Sequence, residues 1–201
     1  MTASSPRDGR AVISAREVSY GVFGAWRLAH LDPRGMQYFD TSIEGFWRSF
    51  WAAALMAPLY AFLVVLQLVQ REVDWNPLRV VLVETIGYAI AWTAFPLAAW
   101  YLLAALGKQQ RFLAYIVAYN WSNLIQMAVM LPVAALNAAD GLPGPLVGIL
   151  FMAALAAVLF YQYFIARTAL EVDGSIAAGL VFIDLLLGIL RQSIVTSLEM
   201  R

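Results

Sequence analysis

Cysteine is absent from this 201-residue chain. That absence excludes disulfides, thiolate metal sites, a thiol nucleophile and covalently attached haem. Histidine is nearly absent as well, His30 being the single one. Intramembrane haem and di-metal centres draw on several imidazoles, so neither is expected, and no cofactor is expected at all. Lysine is reduced to Lys108, the other basic residues being arginine. Charge of either sign is scarce: charged residues make up 13% of the chain, about half the share that keeps a soluble domain wet. Basic and acidic residues number 13 each and cancel, so no basic field points to nucleic acid as a partner. The chain also lacks a G-x-S-x-G elbow, an H-E-x-x-H set, a P-loop and a dinucleotide fingerprint. Serine-protease and zinc-protease chemistry are thereby excluded, and the chain is expected to be non-enzymatic.

What the chain does have is hydrophobic length. Apolar residues make up 62% of it. A membrane-spanning helix needs about 20 mostly apolar residues at about 1.5 Å of rise each. Five stretches qualify: Gly45 to Val69, Val80 to Leu106, Phe112 to Leu136, Leu146 to Leu170 and Ile176 to Leu198. None alternates with the period of a strand, so a β-barrel is not expected. The expected fold is all-α: an integral membrane bundle of five transmembrane helices over residues 45–199, after a short N-terminal cytoplasmic tail over residues 1–44. The tail holds Arg7, Arg10 and Arg16 before any apolar run, so no cleavable signal peptide is expected.

Breakers separate the five stretches: Asp74-Trp75-Asn76-Pro77, Gly107 to Arg111, Asp140 to Pro145, and Asp173-Gly174-Ser175. Such short links make sequential helices antiparallel. Ser175 is the expected N-cap of the fifth segment, and Thr41 with Glu44 spells a capping box before the first. Pro58, Pro96 and Pro132 fall inside the first three segments, where each removes one backbone donor and invites a kink.

Arginine and lysine distribution sets the orientation. Arg7, Arg10, Arg16, Arg27, Arg34, Arg48, Lys108, Arg111 and Arg167 fall on the side of the N-terminus. Arg71, Arg79 and Arg201 fall on the other. The tail is therefore expected in the cytoplasm and the C-terminus outside.

Within the tail, Arg16 to Leu31 reads as a short amphipathic helix with Val18, Val22, Trp26 and Ala29 on one side and Phe23 beside them. Gly21 and Gly24 weaken it by about 1 kcal/mol each relative to alanine, so a packing surface must compensate. That surface is either the lipid headgroup layer, which suits Trp26 with Arg16 and Arg27, or the cytoplasmic end of the bundle. The tail thus reads as a membrane-lying anchor or as a partner-binding segment. Asp32-Pro33-Arg34-Gly35 is a turn, and His30 reads as a surface residue.

Polar groups at membrane depth raise a functional question because they cost free energy there. Counting rise from each segment's midpoint, Asp184 lies about 4–5 Å to the cytoplasmic side of the midplane. Asn120 and Gln162 lie about 6 Å, and Asn123 about 2 Å, to that same side. Asn120 and Asn123 are three apart, share a face, and are expected to meet Asp184. Arg191 lies about 6 Å, and Glu84 about 13 Å, to the outer side. Arg191 is expected to pair with one of the two carboxylates, Glu84 by reaching outward or Asp184 by leaning back. The layer reads either as interhelical glue that fixes register or as a pathway or ligand site. Gly174, Ala177, Ala178, Gly179 and Gly188 favour close helix approach and make the fifth segment the expected centre of the bundle.

The layout of a tail followed by five close-set helices resembles the Yip (Ypt-interacting protein) membrane family. So does the fourth-to-fifth junction, Ala166-Arg167-Thr168-Ala169-Leu170-Glu171-Val172. In bacterial members an arginine-containing segment there precedes a short turn and a small-residue helix. The resemblance implies the five-helix fold and transfers no site residue. It implies a non-enzymatic polytopic protein that organises or partners other membrane components, in the bacterial cytoplasmic (inner) membrane. Its expected partners are the lipid bilayer and either another membrane protein or further copies of itself. The residues themselves carry a second reading, a small-solute or proton-coupled transporter built on Asp184, Arg191, Glu84 and the Asn120, Asn123 and Gln162 layer.

Overall fold

The computed structural model describes residues 13–69, 76–138 and 142–199. Asp74, Trp75, Asp140, Gly141, Arg7, Arg10, Arg71 and Arg201, used above for links and orientation, lie outside the described residues. Among those described, the regular structure is all helical. The order is α1 (Ala15–Ala29), a 3-10 turn (Pro33–Tyr38), α2 (Ile43–Ser49), α3 (Trp51–Val69), α4 (Pro77–Ala105), a 3-10 turn (Gln109–Arg111), α5 (Phe112–Ala138), α6 (Gly144–Leu170) and α7 (Gly174–Glu199).

Four helices among the described residues are long and apolar enough to cross a membrane: Ile43–Leu66, which joins α2 to α3, Pro77–Ala105, Gly144–Leu170 and Gly174–Glu199. The third expected span, α5, has the length, at 27 residues, but is not among the four. Asn120, Ser122, Asn123 and Gln126 dilute its apolar content. The physical reason is its position, because α5 is the enclosed helix. It contacts α1, α2, α3, α4 and α6, and most of its run from Tyr115 to Ser122 is buried on every side. A helix wrapped by protein has no need of an all-apolar surface.

α7, expected at the centre from its small residues, is not the central helix; α5 is. Gly179 and Gly188 face open space, Ala178 is exposed, and α7 packs mainly on α4 and α6. Only Ala177, and Gly174 against the Tyr163 hydroxyl, use their small size for close contact. Pro58, Pro96 and Pro132 all sit within continuous helices.

Two helix starts also differ from expectation. The cap of α2 is Ser42, whose Oγ accepts from the Gly45 N–H at 3.0 Å. Thr41 is displaced from this role because Asp40 Oδ1 accepts the Ser42 N–H at 3.0 Å, and Gly45 closes directly on Asp40. A complete capping box forms instead at Ser14 and Glu17, at the head of α1. Ser175 lies inside the first turn of α7, which begins at Gly174.

α1 covers nearly the expected residues, and Val18, Val22 and Ala29 of its expected apolar side pack against the core. Its buried residues are Gly21, Gly24, Ala25 and Leu28, while Phe23 and Trp26 point away from the bundle. The glycines are the contact itself. A Cβ on Gly21 would collide with the Trp121 ring of α5, and one on Gly24 would stand 2.9 Å from the Gly35 carbonyl oxygen. What the glycines cost in helix propensity is offset by this close approach. Of the two surfaces considered for the tail helix, the bundle takes the glycine face. Arg48 then ties the segment together, reaching Glu17 at 3.1 Å and Asp40 at 2.7 Å.

The links at one end of the bundle meet. Lys108 Nζ donates to the Glu171 carbonyl oxygen at 3.4 Å, and Arg111 forms an ion pair with the Glu171 carboxylate. The α4–α5 and α6–α7 links thus share an end, as antiparallel neighbours require.

Candidate functional site: two polar clefts inside the bundle

Asp184, in the first half of α7, is held by donors from two other helices. The Tyr119 hydroxyl of α5 donates to Oδ1 at 2.9 Å, and Gln162 Nε2 of α6 donates to Oδ2 at 2.9 Å. Gln162 Nε2 also reaches Gln126 Oε1 at 3.1 Å. This chain of bonds fixes amide orientations. A carboxylate accepts only, so Gln162 must present its nitrogen, and Gln126 must then present its oxygen. Gln126 Nε2 is left buried without a hydrogen-bond partner.

The expectation that Asn120 meets Asp184 is corrected. Asn120, fully buried, donates instead to Ser49 Oγ of α2 at 2.8 Å, and its Oδ1 has no partner. Successive helix positions differ by about 100°, so Tyr119 and Asn120 serve different neighbours of the central helix. Asn123 stands beside the Tyr119 hydroxyl that serves Asp184 and lines an adjoining cleft with Gln126, Tyr60, Glu84 and Arg191.

The expected ion pair of Arg191 is corrected too. Its guanidinium reaches the Tyr60 hydroxyl at 3.4 Å, and that hydroxyl donates to Glu84 Oε2 at 2.6 Å. A tyrosine of α3 therefore stands between the cation of α7 and the carboxylate of α4. Arg191 also donates to Gln192 Oε1 at 3.2 Å. Neither Glu84 nor Asp184 bonds to it directly. Arg191 does not lean back to Asp184: its guanidinium is engaged by Tyr60 and Gln192, and each Asp184 oxygen takes its donor from Tyr119 or Gln162.

Of the six sequence-selected residues, the structure thus joins Asp184 directly to Gln162, and Glu84 to Arg191 through Tyr60. Two clefts hold these groups. One, of about 560 Å³, brings together Tyr119, Gln162, Asp184, Arg191 and Gln192 among apolar side chains of α4, α6 and α7. The other, of about 310 Å³, holds Tyr60, Glu84, Asn123, Gln126 and Arg191. Arg191, Gln192, Met130 and Val158 line both.

A third polar contact lies nearer α1. The buried Tyr161 hydroxyl of α6 is shared between Ser122 Oγ of α5 at 2.8 Å and the Ala25 carbonyl oxygen of α1 at 2.7 Å. Tyr60, Tyr119, Tyr161, Ser49, Ser122 and Gln126 all escaped the sequence reading. Their signal was available: hydroxyls and one more amide at the same depth as the charged and asparagine residues. His30 is exposed, as expected, with Nδ1 2.9 Å from the Trp26 carbonyl oxygen.

Fold and site together define an all-helical protein with several helices able to cross a bilayer and an internal layer of interhelical polar contacts. No protein-family model matches the chain, and no curated protein or solved structure matches it.

Proposed function

We propose that this chain is a polytopic, non-enzymatic membrane protein of Yip-like layout that organises or partners other membrane components. In this reading it crosses the bilayer five times. α5 is the fifth crossing, enclosed by the other helices, about 40 Å long at 1.5 Å per residue. The tail and the α4–α5 and α6–α7 links face the cytoplasm of a bacterial cell, and the C-terminus lies outside. The carrying observation is that the polar groups at depth are largely consumed by one another. Both oxygens of Asp184, the Glu84 carboxylate, the Asn120 amide donor and the Tyr161 hydroxyl all have interhelical partners. Such contacts fix register, which is what a rigid membrane scaffold requires. The test is capture of the tagged protein from native membranes in mild detergent, with mass spectrometry of what remains bound. A stoichiometric membrane partner supports the organising role. A clean homo-oligomer with nothing else bound counts against it.

One observation favours a second reading, a small-solute or proton-coupled transporter. The unpartnered Gln126 donor and the Arg191 guanidinium line the same cleft beside Glu84, an arrangement that can hold a ligand with an acceptor group. Under this reading Asp184→Asn abolishes coupled flux in proteoliposomes while the protein still assembles. Unchanged flux sinks it.

A further inference from the structure

α1 has two faces, and only one is used inside the protein. The glycine face is seated on α5. The opposite face carries Tyr20 at 42%, Phe23 at 42% and Trp26 at 49% exposure. With Tyr38 of the following 3-10 turn they form one aromatic surface. Phe23 and Tyr38 meet edge to face at 4.9 Å, Phe23 stacks near Trp26 at 5.9 Å, and Tyr20 lies 6.2 Å from Tyr38. The Arg16 guanidinium lies over the Tyr20 ring and that of Arg27 over the Tyr38 ring.

The depth of this surface follows from what α1 touches. Gly21 sits on Trp121, about 13 Å in from the Phe112 end of α5, and Ala25 accepts from Tyr161, about 13 Å in from the Leu170 end of α6. Large apolar side chains are exposed elsewhere on the bundle at a similar level: Leu97 of α4, Phe160 of α6 and Phe182 of α7. A helix about 40 Å long in a hydrocarbon slab about 30 Å thick projects about 5 Å at each end. The α1 contact then falls about 8 Å inside the slab edge, within the 5–10 Å depth at which interfacial helices lie.

We infer that the aromatic face of α1 and its 3-10 turn is sunk in the boundary between headgroups and acyl chains of the cytoplasmic leaflet. The occupant of this face is the lipid bilayer, and residues 15–38 belong to the membrane domain rather than to a free tail. This rests on the reading of α4, α6 and α7 as crossing helices. Lipid fits better than a protein partner because the surface continues, at the same depth, the apolar side chains that face outward on α4, α6 and α7. Tyrosine and tryptophan are the residues that favour this layer. Charge contributes little: from Ala15 to Ser49, Arg16, Arg27, Arg34 and Arg48 are matched by Glu17, Asp32, Asp40 and Glu44. Attachment is therefore by ring insertion, and it is insensitive to salt and to anionic lipid.

The cysteine-free chain makes the test clean. Phe23→Cys and Trp26→Cys are spin-labelled in full-length protein reconstituted in phosphatidylcholine nanodiscs, with Phe182→Cys as the lipid-facing reference and Gln110→Cys as the water-facing one. Collision with oxygen is compared with collision with a neutral nickel chelate. The expected result is an oxygen-to-nickel ratio at positions 23 and 26 several-fold above that at 110, approaching that at 182, and unchanged by high salt. Nickel access at 23 and 26 equal to that at 110, with 182 still oxygen-dominated, overturns this inference alone. Nickel access at 182 as well removes the membrane-crossing reading on which it stands. A ratio that collapses in high salt shows a charge-held surface and also overturns it.

Discussion

Gln162 donates to Asp184 across 2.9 Å and so joins α6 to α7. Tyr119 completes the carboxylate from α5. Asp184→Leu removes the acceptor and strands the buried Tyr119 hydroxyl, at a cost of about 1–3 kcal/mol, while Gln162 keeps Gln126 Oε1. Asp184→Asn keeps one acceptor, which the Tyr119 hydroxyl uses while Gln162 keeps Gln126, and is expected to cost less than about 1 kcal/mol. Unfolding in mixed detergent micelles measures both. Equal stability of the leucine variant and the wild type would contradict a structural role for this contact.

The Gly21–Trp121 contact predicts a size limit on α1. Gly21→Val drives a branched side chain into the indole and is expected to destabilise docking by about 1–3 kcal/mol. Limited proteolysis reads this directly: cleavage after Arg27 and Arg34 accelerates in Gly21→Val. The exposed Gln37→Ala leaves the rate unchanged.

Ser49 and Asn120 form a buried pair across α2 and α5. Ser49→Ala deprives the amide of its acceptor, and Asn120→Ala deprives the hydroxyl of its donor. A double-mutant cycle is expected to return a coupling of at least about 0.5 kcal/mol. A coupling indistinguishable from zero means that the two side chains do not support each other.

The turn after α1 carries a pH signature. The Arg27 guanidinium, donating to Asp32 through Nε at 2.8 Å, holds the Asp32 carboxyl down to about 2, aided by the Arg34 backbone N–H. Because the folded value lies below the ordinary carboxylate range, the contribution is fully present above that range. It is lost as pH falls toward 2. Asp40 is shifted in the same direction, with Ser42 and Arg48 hydrogen bonds outweighing its partial burial. Asp32→Asn is therefore expected to flatten the acid limb of the N-terminal segment's stability profile and to leave the profile near neutrality parallel to wild type. Proteolytic protection across pH checks this.

The sequence by itself determined the helices and nearly all of their limits, because runs of apolar residues near 20 long and their Gly, Pro and Asp punctuation are local properties. It also determined where each charged residue stands along its helix, since that is only a count. Rotation about each axis was decided by the tertiary structure. Tyr119 rather than its neighbour Asn120 meets Asp184 because α5 is enclosed and each of its faces serves a different helix. Tyr60 intervenes between Arg191 and Glu84 because its long side chain carries a hydroxyl from α3 to both groups. Gly21 and Gly24 looked like weaknesses in a chain read one helix at a time. They became the docking face once Trp121 and Gly35 stood opposite. Helix formation is set by neighbours in sequence, whereas the partner of a polar atom is set by whichever helix burial brings against it.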